Sequence, residues 1–225
     1  MSSTERLIAE TRTPDGAHLA LLEDEGDYLI RLNGEALMHS AGASSEMQLG
    51  LLALEPVRTP APRVLIGGLG LGFTLRAVLD AGGPAARVEV VELLPEVVEW
   101  NRSHLSDLNG RLLDDPRVHL RVADVYDVLH EARQSPFDAI VLDVDNGPFA
   151  IVQGENRRLY HPRGIQRLAT ALVPEGRAAI WSAGFDPRFA ERLSRAGFRV
   201  EAIPARLHPA LDDYPYALYL ADKAG

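Results

Sequence analysis

Hydrophobic and polar positions alternate in two different ways along the chain. Before residue 40, the apolar-rich runs "AHLALLED", "DYLIRLN" and "EALMHS" are separated by the turn signals "PDG", "DEGD" and "NG", which predicts a small antiparallel meander. The next apolar stretch, "SSEMQLGLLALEP", predicts a helix with Ser44 or Ser45 as its N-cap and Pro56 beyond its end. Together these elements define a predicted N-terminal unit over residues 1–56.

From residue 57 to residue 225, apolar strand patterns alternate with helical ones. Five predicted strands ("RVLIGG", "RVEVVEL", "RVHLRVAD", "FDAIVLDVD" and "RAAIWSA") are separated by predicted helices, the last of them "PRGIQRLATALVPEG". The stretches "FRVEAIPA" and "YALYLADK" predict a closing pair of strands. Strands rich in Val, Ile and Leu with helices between them are typical of a parallel sheet that is covered on both faces, so we expect an α/β domain.

Composition narrows the function classes. The 225 residues include 23 basic and 32 acidic ones, and the net charge of −9 disfavours a nucleic-acid partner. It is compatible with a cationic small molecule, although mild acidity also serves solubility alone. Cysteine is absent, and the seven histidines lack metal-binding spacing, so we expect no metal site. No signal-peptide or membrane-spanning pattern occurs, so we expect a cytoplasmic protein without a membrane partner.

The first strand of the predicted parallel sheet ends in the glycine-rich stretch "VLIGGLGLGFTL". Gly68, Gly70 and Gly72 form G-x-G-x-G, and Phe73 stands where the dinucleotide fingerprint has its last glycine. No Lys-Ser/Thr pair follows, which excludes a Walker loop. A glycine-rich turn between strand and helix is where such sheets bind nucleotides or related cofactors, and a turn needed only for packing is the alternative.

Carboxylates follow the next three strands. Glu92 ends the second strand, where it could accept hydrogen bonds from ribose hydroxyls. Asp124 ends the third strand and could accept from the exocyclic amine of adenine, cap the next helix, or do both. Asp143 and Asp145 end the fourth. Because carboxyl ends of parallel strands share one edge of a sheet, these residues predict a cofactor site there.

Four stretches, "VLIGGLGLGFTLR", "VVELLPEVVE", "DPRVHLRVADVYDVL" and "FDAIVLDVDNGP", resemble in order the cofactor-binding motifs of the spermidine synthase family. That family consists of aminopropyltransferases built on the class I S-adenosylmethionine-dependent methyltransferase fold. The resemblance runs from about Val64 to Ala183 and extends more weakly to the N-terminal unit. It implies a Rossmann-like, mostly parallel seven-stranded sheet with helices on both faces, behind a small antiparallel β-domain that is a plausible homodimer surface.

The resemblance also implies site residues. Those implied to bind the cofactor are Gly68, Leu69, Gly70, Gly72, Glu92, Leu93, Asp124, Val125 and Asp143. The implied catalytic pair is Asp143 and Asp145, because a carboxylate that binds an ammonium and then accepts its proton makes the amine nucleophilic. Glu46 and Asn146 are expected to contact the acceptor. Tyr160, in the long segment after the fourth strand, and Trp181, at the end of the fifth, are also expected to contact it from their places in the chain, and a core tryptophan is an equal alternative for Trp181. The long segment 146–161 has little periodicity and is typical of a lid.

The chain departs from the family pattern in its acceptor half. Leu71 stands where the family has an aspartate, and Ser44 stands where it has a tyrosine two residues before its glutamate, here Glu46. The family's Asp-Ser-Ser-Asp-Pro loop is shortened to "DVDN" at residues 143–146. Since Leu71 removes a negative charge, we expect it to favour S-adenosylmethionine over the decarboxylated cofactor.

Three functions remain open from the sequence. Methyl transfer from S-adenosylmethionine to an amine-bearing small molecule is the first expectation, because residues that grip a polyamine are altered. Aminopropyl transfer from decarboxylated S-adenosylmethionine to a diamine is the alternative, favoured by the Asp143–Asp145 pair and the acidic composition. A cofactor-binding protein without catalysis is the third.

Overall fold

A computed structural model describes residues 5–144, 156–206, 208 and 216–225. Its first sheet contains four antiparallel strands in sequence order: β1 (Arg6–Arg12), β2 (His18–Asp24), β3 (Asp27–Leu32) and β4 (Glu35–His39). The sequence predicts the last three strands and misses β1. That edge strand has no buried residue, so it carries no alternation of buried and exposed positions to detect.

The second sheet contains seven strands, in the spatial order β10-β11-β9-β8-β5-β6-β7. They are β5 (Arg63–Gly67), β6 (Arg87–Glu92), β7 (Val118–Val122), β8 (Phe137–Leu142), β9 (Leu172–Ser182), β10 (Phe198–Ala205) and β11 (Tyr216–Lys223). The five strands from β5 to β9 pair in parallel, and β11 is antiparallel to both of its neighbours. This arrangement confirms the predicted mostly parallel seven-stranded sheet.

Helices cover both faces of this sheet. They are α1 (Ser44–Leu54), α2 (Phe73–Ala81), α3 (Pro95–Ser103), α4 (Ser106–Asn109), α5 (Val125–Glu131), α6 (Pro162–Ala171) and α7 (Pro187–Arg195). Successive residues of β5 point to opposite faces. Val64 and Ile66 join one hydrophobic cluster with α1, α2 and α3, while Leu65 joins another with α5, α6 and α7. The two clusters hold the carboxyl edge of the sheet in a fixed position.

Two predicted helix boundaries are wrong. α1 begins at Ser44 with Ala43 as its N-cap and no side-chain cap, so neither Ser44 nor Ser45 has the predicted role. The helix predicted over "PRGIQRLATALVPEG" ends at Ala171, and its last five residues begin β9 instead. Pro174 explains the early end, because proline disfavours a helical conformation in the residue before it.

α1 also packs against β9 of the seven-stranded sheet and against α2, which follows β5 of the same sheet. The boundary that the sequence places between residues 56 and 57 therefore stays a prediction.

Within the described residues, no helix is long and apolar enough to cross a membrane. The same residues contain no group of three or more His, Cys, Asp or Glu side chains suited to a metal ion.

Candidate active site

Two other segments of the chain pass very close to the backbone of the glycine stretch. Gly68 and Gly70 have positive φ angles of 90° and 50°, a region that glycine adopts without steric cost. A Cβ atom on Gly68 would lie 2.2 Å from the carbonyl oxygen of Asp143, and one on Gly70 would lie 2.5 Å from Sδ of Met38. The end of β8 and the strand β4 therefore explain why side chains are missing at these two positions.

Gly72 has a different role from the other two glycines. It is the left-handed N-cap of α2, with φ of 89°, and it faces the side-chain amides of Asn101 and Asn109 rather than the cavity described below. Asn101 donates to the carbonyl of Gly70 at 2.8 Å and accepts from Asn109 at 2.7 Å. These two asparagines hold the loop from α3 and α4, and no sequence motif marks either of them.

A cavity of about 110 Å³ lies between the glycine loop and the N-terminal sheet. Seven residues that the sequence predicted line it: Gly68, Gly70, Glu92, Leu93, Asp124, Val125 and Asp143. Its opposite wall is apolar and comes from the N-terminal sheet, chiefly Leu19, Ile30, Leu32, Leu37 and Met38. Sequence reasoning missed this wall, since apolar alternation in a strand equally predicts a core residue.

Glu92 is held at the cavity wall by backbone groups. Its Oε2 accepts from the amide of Leu69 at 2.9 Å, and its Oε1 accepts from the amide of Leu94 at 3.0 Å. Leu69 thus contributes its backbone, while its side chain is buried. A carboxylate has about four lone-pair positions, so it can accept from several donors at once.

Asp124 has the predicted capping role and a second partner. Its Oδ1 accepts from the amide of Tyr126 at 2.8 Å, which caps α5. Its Oδ2 forms an ion pair with Arg158, a contact that the sequence did not predict. The Arg158 guanidinium also lies 4.5 Å from the centre of the Tyr126 ring. Asp124 is therefore oriented from both sides at the edge of the cavity.

Asp143 and Glu46 form a carboxyl pair between β8 and α1. Thr74 donates to Oδ2 of Asp143 at 2.6 Å. Ser45 donates to Oε2 of Glu46 at 2.5 Å and accepts from Nε1 of Trp181 at 3.1 Å. Two residues predicted to bind the acceptor, Glu46 and Trp181, are thus connected through Ser45.

Burial dominates the electrostatics of this pair. It raises the pKa of Glu46 to about 7, and the charge of the neighbouring Asp143 acts in the same direction. Burial also raises the pKa of Asp143, to about 6, against the opposing effect of its hydrogen bond from Thr74. Among the described residues, no lysine or arginine forms an ion pair with either carboxyl. A buried carboxyl pair of this kind is a favourable place for an ammonium group.

The remaining predicted residues lie elsewhere. Tyr160 is buried against Phe189, with ring centres 5.6 Å apart, and does not line the cavity. Leu71 is fully buried in the core, so the charge that it lacks does not bear on the cavity. Asp145 and Asn146 lie outside the described residues, as does most of the segment 146–161.

Curated relatives are named for one activity. The chain is 33% identical over 176 residues to the polyamine aminopropyltransferase of Mycobacterium tuberculosis strain H37Rv, covering 74% of this chain and 32% of the relative. It is 33% identical over 183 residues to polyamine aminopropyltransferase 1 of Streptomyces coelicolor, covering 77% and 33%. The chain thus spans about a third of the length of these relatives. The protein of the same name from a Synechococcus species is 28% identical over 221 residues, covering 98% and 65%. No family model matches.

Solved structures show the same fold. Spermidine synthase from Thermotoga maritima has a TM-score of 0.70 at 22% identity, covering 97% of this chain and 73% of that one. A probable spermidine synthase from Corynebacterium glutamicum has a TM-score of 0.68 at 19% identity, covering 97% and 79%. The solved structures show the fold, and the 33% identity to the curated relatives, together with the motifs of the glycine loop and the three following strands, makes the chain a divergent member of the spermidine synthase family.

Proposed function

We propose that the protein transfers an aminopropyl group from decarboxylated S-adenosylmethionine to an amine. The observation that carries the proposal is the charge of the cavity. Its titratable lining residues are Glu92, Asp124 and Asp143, and no lysine, arginine or histidine of the described chain lines it. The carboxylate of S-adenosylmethionine would meet only like charge there, whereas the decarboxylated cofactor has no carboxylate. Both cofactors carry cationic groups that this lining suits.

The lining also suits the rest of the cofactor. Glu92 lines the cavity and would accept hydrogen bonds from ribose hydroxyls, because a carboxylate can accept from several donors at once. Asp124 and the backbone of Val125 would face the adenine. Gly68 and Gly70 line the cavity, so the aliphatic part of the cofactor would lie against the backbone of the glycine loop. The sulfonium supplies the electrophilic carbon when the cofactor is bound.

Asp143 would act as the general base. Its carboxylate would bind the acceptor ammonium and take one proton, which frees the nitrogen lone pair. That lone pair forms the new N–C bond to the propyl carbon as the C–S bond breaks. The bonding electrons stay on sulfur, and the other product is neutral 5′-methylthioadenosine. A pKa raised to about 6 makes Asp143 a better proton acceptor than an ordinary aspartate and leaves it ionised at neutral pH.

The names of the relatives also favour aminopropyl transfer over methyl transfer, the first expectation from the sequence. The argument from Leu71 for S-adenosylmethionine loses its basis, because the side chain lies in the core. The acceptor is proposed only as an amine. Ser44 stands where the family has a tyrosine two residues before its glutamate, so the acceptor half of the site departs from the family pattern.

A turnover assay tests the proposal. The full chain is incubated with decarboxylated S-adenosylmethionine and a panel of mono-, di- and triamines, and products are identified by mass spectrometry. We expect 5′-methylthioadenosine together with one aminopropylated amine, and neither product without the acceptor. Formation of S-adenosylhomocysteine and a methylated amine from S-adenosylmethionine, with no aminopropyl product, would overturn it.

A further inference from the structure

A second region of the molecule concentrates positive charge. Residues 156–174 contain four arginines and no acidic residue, in a chain whose net charge is −9. Side chains of this segment and of α7 surround two adjoining cavities. The smaller, of about 200 Å³, is lined by Arg157, Tyr160, His161, Pro162 and Arg192. The larger and more open one, of about 780 Å³, is lined by Tyr126, Arg157, Arg158, His161, Pro162 and Arg163.

Two of the arginines that line the cavities are held by carboxylates and keep N–H donors without a described partner. Arg158 pairs with Asp124, and Nη2 of Arg192 lies 3.5 Å from Oδ2 of Asp186. In each, the Nε atom is buried and has no hydrogen-bond partner among the described residues. A guanidinium has five N–H donors, so both anchored side chains can serve a further acceptor. A buried donor without a partner is costly, and a bound acceptor would relieve that cost.

Four arginines line the two cavities, and two of them, Arg157 and Arg163, are exposed. Neither of these two forms an ion pair within the described part of the chain. No described Asp or Glu lines either cavity. Arg157 lines both cavities, which connects the larger one, with Arg158 and Arg163, to the smaller one, with Arg192. The carboxylates that pair with Arg158 and Arg192 lie outside both linings, and Arg157 and Arg163 have no such partner among the described residues.

We propose that this arginine cluster (Arg157, Arg158, Arg163 and Arg192) binds a small phosphate-bearing ligand, at a site distinct from the cofactor cavity. Guanidinium groups match phosphate oxygens in two-point contacts, which makes arginine the preferred residue for this recognition. The strongly acidic remainder of the chain disfavours a long polyanion such as nucleic acid. The site is connected to the cofactor cavity by a single ion pair, since Arg158 of the arginine cluster pairs with Asp124, which lines that cavity.

Calorimetric titration of the full chain at fixed ionic strength tests the site, with inorganic phosphate, pyrophosphate and cytidine diphosphate as probes. We expect saturable one-to-one binding of pyrophosphate, tighter than that of phosphate. Tighter binding of cytidine diphosphate than of pyrophosphate would assign the site to a nucleotide, and weaker or equal binding would assign it to an inorganic phosphate compound. Absence of saturable binding by all three probes would overturn the proposal.

The variant Arg157→Gln/Arg163→Gln should weaken pyrophosphate binding tenfold or more. Both side chains are exposed, so the variant should unfold at nearly the same temperature as the parent chain. Arg195→Gln is the matched control, because Arg195 is exposed, lies on α7 and pairs with Glu191 outside both cavities. Equal binding by the double variant and the parent chain would also overturn the proposal. None of these measurements depends on transferase activity.

Discussion

Asp143 is fixed by three neighbouring elements at once. Its amide donates to the carbonyl of Gly67 at 2.9 Å, its carbonyl crowds Gly68, and its carboxylate accepts from Thr74 of α2. A base held in this way keeps its orientation without reorganisation during the reaction. At the residue scale, the proposed chemistry therefore depends on the charge of one side chain rather than on its shape.

Asp143→Asn should abolish turnover while largely preserving cofactor binding, because the amide loses the proton acceptor whereas Glu92 and Asp124 stay in the cavity lining. General-base assistance contributes roughly 10²–10⁴-fold, so kcat should fall at least that far. Steady-state rates and calorimetry on the same preparation measure the two effects. Asp80→Asn, an exposed change on α2, is the control, and an active Asp143→Asn variant would remove Asp143 from the mechanism.

Glu46 leads to a prediction about stability and pH. Its pKa is raised to about 7 in the folded chain, so between about pH 4.5 and pH 7 the folded state holds a proton that the unfolded state has lost. Stability must therefore fall as pH rises through this window. Glu46→Gln stays neutral and avoids the loss, so its stability advantage over the parent chain should grow by roughly 2–3 kcal/mol between pH 5 and pH 8.

Urea unfolding at both pH values measures this change. Glu99→Gln, an exposed substitution on α3, should show no such growth. A difference between Glu46→Gln and the parent chain that stays constant with pH would show that Glu46 is ionised throughout.

The sequence located the main side chains of the site and missed those that hold them. Glu92, Asp124 and Asp143 follow parallel strands, and strand order alone brings them together at one edge. Ser45 and Arg158 reach their partners through packing between segments far apart in the chain, which no local pattern encodes. The interpretation of Leu71 failed for the same reason, since its burial depends on neighbours in other elements.

At the scale of elements, the sequence predicts best where burial is strongest. β5 and β8 carry runs of consecutive apolar residues, and β6 has valines on both sides of Glu89, because both faces of the sheet are covered; the sequence predicts all three strands. β1 is an exposed edge and was not predicted. The glycine loop joins β5 to α2, and its three alternating glycines all have positive φ angles.

Gly68→Ala should be much more harmful than the same change at Gly83. Both glycines have positive φ, of 90° and 74°, but only at Gly68 does an added Cβ meet backbone, 2.2 Å from the carbonyl of Asp143. We expect Gly83→Ala to cost about 1 kcal/mol and Gly68→Ala roughly 3 kcal/mol or more, with loss of cofactor binding. Urea unfolding checks both, and equal costs would show that the β8 end moves aside freely.

The whole molecule places the cavity between two sheets. The parallel sheet supplies the acidic edge, and the N-terminal sheet supplies the apolar wall that includes Ile30, Leu37 and Met38. The sequence predicts each sheet separately, but their contact depends on side-chain packing across the interface and could not be predicted. A homodimer through the N-terminal sheet stays a prediction.

The central claim is that this acidic cavity selects the cofactor without a carboxylate. Calorimetric titration of the full chain with decarboxylated S-adenosylmethionine and with S-adenosylmethionine, under identical buffer conditions near pH 8, tests it most directly. At this pH both members of the Glu46–Asp143 pair are mostly ionised. We expect at least tenfold tighter binding of the decarboxylated form. Equal or tighter binding of S-adenosylmethionine would contradict it.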